Sequence, residues 1–145
     1  MTDFPTDSIL VLVEVSPTGA VLNSAAGLLG AAAGIGSPVA LVVTVPGAGN
    51  AAAASAGEFG ASRVLVVERA DAATSLTGPL VDSLAAAAAL VSPPAIVVSH
   101  SVQGRDVAAR FAARAGAMLA VDAVALSRDD EGPVAQHSVY GGSYL

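Results

Sequence analysis

The chain has no cysteine, no lysine and no tryptophan among its 145 residues. Without cysteine there are no disulfides, no thiolate nucleophile and no Cys-ligated zinc or iron–sulfur centre. Without lysine, all six basic residues are arginines, scattered between Arg63 and Arg128. They form no basic cluster, and a net charge of −6 argues against nucleic acid as a partner. Aromatic residues make up 3% of the chain against 54% hydrophobic residues overall, so the core must be built from Val, Leu, Ile and Ala. Such side chains contribute little area each but let helices approach closely. The only histidines, His100 and His137, stand far apart, which makes a poor metal pair. No Gly-x-Ser-x-Gly elbow accompanies them, so Ser99, Ser101, Ser138 and Asp122 do not compose a hydrolase triad, and no enzymatic activity is expected.

Charge is missing altogether between Glu14 and Glu58. Within that gap residues 25–45 are long enough to raise a membrane span, but Gly34, Gly36, Ser37 and Pro38 cut them into a helix and a strand of globular length. Residues 1–7 carry Asp3 and Asp7 and no positive charge, so they do not read as a secretory signal, and a cytoplasmic protein is expected.

What is present alternates. Strands are expected at residues 9–14, 38–45, 62–68 and 95–99, and helices at 21–33, 51–59, 76–91 and from Gly104 to Gly116. Ser16 or Thr18 stands ready to cap the first helix, and Pro79 is tolerated near the start of the third. The alternation predicts βαβ units and a three-layer α/β/α domain with a mainly parallel sheet. Residues 120–127 and 133–140 then read as an antiparallel hairpin across the acidic turn 128–132. Residues 1–145 make one domain. The final Tyr-Leu after Gly-Gly has no polar tail, and a part of a longer protein is expected.

The organising unit runs from Ile96 to Ala117. Ile96, Val97 and Val98 suit a buried strand. Ser99, His100, Ser101 and Gln103 follow as a polar loop, with Gly104 read as its turn residue. Asp106, Arg110 and Arg114 recur every fourth residue as a solvated helix face, opposite Val107, Ala108, Phe111 and Ala115. This places Ser99, His100, Gly104, Arg105 and Asp106 at the carboxyl end of a strand, where open α/β sheets bind ligands and partners. Arg105 offers a phosphate contact at a helix N-terminus, which Asp106 beside it opposes, so a salt bridge or an interface contact is the favoured reading. A second motif, Gly47-Ala48-Gly49-Asn50-Ala51-Ala52, has the form of a dinucleotide fingerprint, with Glu68 near the distance for a ribose. It follows the second strand rather than the first, and a plain strand-to-helix turn explains it.

Four stretches together resemble the N-terminal domain of the electron-transfer flavoprotein alpha subunit. They are residues 9–14 (Ile-Leu-Val-Leu-Val-Glu), residues 59–67 (Phe-Gly-Ala-Ser-Arg-Val-Leu-Val-Val), the run from Gly104-Arg105-Asp106 through Gly116 to Asp122, and Tyr140-Gly141-Gly142. His100-Ser101, Ala109 and Ser143 depart from the family pattern, which bears on loop contacts rather than on the fold.

The resemblance implies an electron-carrier subunit whose FAD sits in a C-terminal domain beyond this chain, so no cofactor is expected here. It also implies a beta subunit as partner, with flavin dehydrogenases reached through the full complex. The candidate binding or interface residues are Ser99, His100, Gly104, Arg105, Asp106, Tyr140, Gly141 and Gly142. The nearly charge-free first helix and the alanine-rich third helix read as surfaces for a partner, and self-association of the chain is expected. An adenine-nucleotide-binding domain of the universal-stress type, built around Gly104, is the alternative. A nicotinamide site at Gly47 and Gly49 is a weaker third.

Overall fold

All six residues of the first strand, β1 (Ser8–Val13), are buried. Successive side chains of a strand point to opposite faces, so β1 feeds two cores. Ile9, Val11 and Val13 pack with one set of helices, and Leu10 and Leu12 with another. The molecule is a computed structural model that describes residues 3–137. After β1 come α1 (Ser24–Ala33), β2 (Ser37–Thr44), α2 (Gly49–Glu58), β3 (Arg63–Glu68), α3 (Gly78–Val91), β4 (Ala95–Val98), α4 (Val102–Ala115), β5 (Ala123–Asp129) and β6 (Gly132–His137).

The first four strands form one parallel sheet in the order β3-β2-β1-β4. Leu12 of β1 stands opposite Leu41 of β2 and Val98 of β4. Chain direction across the sheet reverses after β3, so the helices divide between the two faces. Ala25, Leu29 and Ala32 of α1 and Ala52 and Ala56 of α2 cover one face. Val81, Leu84, Ala87 and Val91 of α3 and Val107 of α4 cover the other. This is the expected three-layer α/β arrangement. The expected hairpin is also present, as a separate antiparallel pair of β5 and β6 that does not extend the parallel sheet. Arg128 ties it to the body by donating from Nη1 to the Ile35 carbonyl at 2.8 Å. No helix among the described residues is long and apolar enough to cross a membrane.

Four local expectations are corrected. The first helix begins at Ser24, not Val21, because Val21 pairs with Val15 in an antiparallel bridge and the Leu22 N–H donates to the Glu14 carbonyl at 3.0 Å. Ser16 and Thr18 do not cap it; their hydroxyls bond each other at 2.8 Å. Gly104 is not a turn residue, since it lies in the first turn of α4. On that helix Ala112 takes the buried position expected of Ala115, which is exposed.

Candidate functional site

In the order β3-β2-β1-β4, connections leave β1 toward one edge and return to β4 at the other. The carboxyl ends of β1 and β4 therefore form the topological switch point, where sheets of this kind open a crevice. The N-terminal turn of α4 stands in that opening and divides it into two cavities, with Gly104 in the wall of both.

Ser101 builds the turn. Its backbone is extended at φ −73° and ψ 168°, and its Oγ accepts from the Gly104 N–H at 2.9 Å, which caps α4. The Ser101 hydroxyl donates in turn to the carboxylate of Glu14, the residue just past β1. Close approach of α4 to the strand end requires glycine at position 104, because a Cβ there would collide with the Ser99 carbonyl oxygen.

The first cavity, about 740 Å3, lies between the end of β1, the loop before α3 and the α4 turn. Leu12, Val43, Leu80 and Val107 form its apolar wall, and Glu14, Ser16, Thr74, Thr77, Gln103 and Asp106 its polar one. No arginine lines it. The Thr77 hydroxyl, then Arg110 with its Nε 3.0 Å from the carboxylate, hold Asp106 below the ordinary aspartate pKa of 3.8, against an opposing contribution from burial. The second cavity, about 540 Å3, lies between β4, α1 and residues 119–126. Ser99, His100 and Arg105 face it, with Leu28, Ala31 and Val97 opposite or below. His100 Nε2 is 3.8 Å from Asp122 Oδ1, and both side chains are more than half exposed. His137 Nδ1 lies 2.6 Å from the Val121 carbonyl. The two histidines thus meet adjacent residues despite their separation in sequence. No group of three metal-ligating side chains forms among the described residues.

Of the expected site residues, Ser99, His100, Gly104 and Arg105 share the second cavity, whereas Asp106 faces the first. Arg105 is exposed and makes no salt bridge among the described residues. Tyr140, Gly141 and Gly142 lie outside the described residues. Sequence reasoning did not assign a role to Glu14 or Thr77. The signal for Glu14 was there: it ends an apolar strand and is the last charge before a long neutral stretch.

The fingerprint at residues 47–52 has a different use from the one its form implies. Glu68 does not stand free for a ribose: its Oε1 accepts from the Gly47 N–H at 3.2 Å and the Gly49 N–H at 2.9 Å. The carboxylate fills the place where a pyrophosphate would lie, so the nicotinamide reading is set aside. A flavin fits these surfaces no better. Among the described residues neither switch-point cavity has an aromatic wall, and the larger one is lined by two carboxylates and no cation.

Fold and site together define a three-layer α/β domain in which the Glu68 carboxylate takes the amides at the start of α2 and Glu14 is tied to the start of α4 through Ser101. The chain belongs to the electron transfer flavoprotein domain family, which matches residues 9–145. It is 38% identical over 136 residues to the electron transfer flavoprotein subunit alpha of Mycobacterium leprae, a match covering 94% of this chain and 42% of that protein. The subunit of the same name from Mycobacterium tuberculosis is 36% identical with the same coverage. The chain thus spans less than half the length of these relatives.

Proposed function

We propose that this chain is the N-terminal domain of an electron-transfer flavoprotein alpha subunit and acts as a non-catalytic scaffold. In this reading it packs against a beta subunit and supports a separate flavin-binding domain, which carries electrons from flavin dehydrogenases in the cytoplasm. The observation that carries the reading is the family match from β1 to residue 145, on a domain whose α4 turn is tied to the end of β1 through Ser101 and Glu14. The universal-stress alternative needs a phosphate loop after β4; Ser99, His100 and Ser101 supply a capped helix start in its place.

The test is co-purification of the chain with an electron-transfer flavoprotein beta subunit. A one-to-one complex is expected. The chain alone should carry no flavin absorbance near roughly 450 nm. Arg105, exposed beside the second cavity, is expected to contribute at the interface, and Arg105→Ala should weaken the complex by about 1–3 kcal/mol if the contact is desolvated. A chain that retains flavin through gel filtration, or ignores the beta subunit, overturns the proposal.

A further inference from the structure

Two helices aim their N-terminal amides at the carboxyl edge of the sheet, and each meets a carboxylate from the end of a strand. At α2 the carboxylate is Glu68, the last residue of β3, bonded to the amides of Gly47 and Gly49 at 3.2 and 2.9 Å. It lies so close that a Cβ on Gly49 would come within 2.6 Å of its Oε1. At α4 it is Glu14, which accepts from the Ser101 hydroxyl, while Ser101 Oγ accepts from the Gly104 amide. Free amides and the helix dipole favour an anion at such positions. Ligands of open α/β sheets use the crevice at the switch point for the same reason. At α2 that anion is internal, and at α4 an internal carboxylate stands one hydroxyl behind the capped amide. In the switch-point crevice Asp106 adds a second carboxylate to the wall, its charge partnered by Arg110 from the flank of α4.

We propose that Glu14 is the residue that closes the switch-point crevice to nucleotides. Its carboxylate, joined to α4 through Ser101, stands where a ligand phosphate would stand, and it turns a ligand position into an internal fastening between β1 and α4. The inference deepens the scaffold reading and rests on it: a domain that answers to its partner need not answer to the nucleotide pool. The contact joins residues 87 positions apart, so it also holds the two halves of the parallel sheet's connection in register.

The experiment titrates the full 145-residue chain with AMP and, separately, with inorganic phosphate, following backbone amide shifts of residues 101–106 by NMR. The native chain is expected to bind neither below about 10 mM. Glu14→Ala should bind AMP at least about tenfold more tightly, with the shifts centred on Gly104. Glu14→Gln, which removes the charge and keeps the bulk, should fall between the two. Circular dichroism checks folding. Glu14→Ser replaces the alanine variant if that one does not fold, and Glu14→Gln decides the matter if neither does. Native binding of AMP tighter than about 1 mM overturns the proposal, as does a folded variant set with no gain over the native chain. Association with a beta subunit is measured apart from this titration, so a failure of the scaffold reading and a failure of this inference leave different records.

Discussion

A single hydrogen atom decides position 104. Gly104 is buried in the first turn of α4, and its α-carbon faces the Ser99 carbonyl so closely that no Cβ fits. The obstacle is backbone rather than a side chain that can swing away. Gly104→Ala is therefore expected to lose stability by about 1–3 kcal/mol or more, although alanine is the better helix former by about 1 kcal/mol. Urea unfolding of the two chains measures this, and an unchanged or raised midpoint would show that the α4 turn relaxes freely. The residue was legible as important and misread in kind. A glycine after a polar loop has the pattern of a turn, and the pressure that fixes it comes from a carbonyl whose distance no local pattern encodes. Ser101 was read as a polar loop residue, with no structural partner foreseen for it. Its bond to Glu14 spans 87 residues and emerges only when β1 and β4 pair.

Among the elements, α4 shows how far a four-residue charge period can be trusted. Asp106 and Arg110 pair along the helix, with Arg110 Nε 3.0 Å from the carboxylate. The third member, Arg114, leaves the helix to meet Asp82 of α3 at 2.7 Å and so ties the two helices on that face of the sheet. The strands were the most legible elements. Their apolar runs mark β1, β2 and β3 within a residue or so: β1 and β2 are buried on both faces and leave no polar interruption, and the half-exposed edge strand β3 is still bounded by Arg63 and Glu68. Helix starts were the least legible, because α1 is delayed by the Val15–Val21 bridge and α4 is advanced by the Ser101 cap. The acid behaviour of α4 follows from Asp106. Its folded pKa is depressed, by Thr77 first and Arg110 second, so its stabilising contribution is present above the unfolded value and is lost as pH falls through the folded one. Asp106→Asn should lower the urea midpoint at pH 7, and the gap to the native chain should close as pH falls through the depressed folded pKa of Asp106. A gap that persists into acid would assign the effect to packing rather than to charge.

At the scale of the molecule, the open question is where the domain meets another protein. The sequence points to α1 and α3, because both lack charge over most of their length. The fold changes that map. Leu29 of α1 is fully buried in the core, and the outward face of the helix is alanine and glycine with Leu28 half-buried beside them. Leu76, Leu90 and Val102 are exposed singly, whereas four large apolar side chains gather on one segment: Met118 is fully exposed, and Leu119, Val121 and Val124 follow it along the stretch that borders the second cavity with Leu28. An apolar stretch of this kind beside a cavity is a surface that association covers. The chain is therefore expected to self-associate when alone, through residues 118–124 and Leu28 more than through the alanine face of α3. The net charge of −6 opposes this only weakly at physiological salt, where charges beyond about 8 Å are screened. Sedimentation over a concentration series measures it. Met118→Glu with Val121→Glu should shift the chain toward monomer without loss of fold. Leu28→Glu should do the same, whereas Leu29→Glu, one position away, should unfold the domain by placing a charge in the core. A native chain that is a clean monomer at about 100 μM would mean that the 118–124 segment is satisfied within the domain, and would move the expected partner surface away from the second cavity.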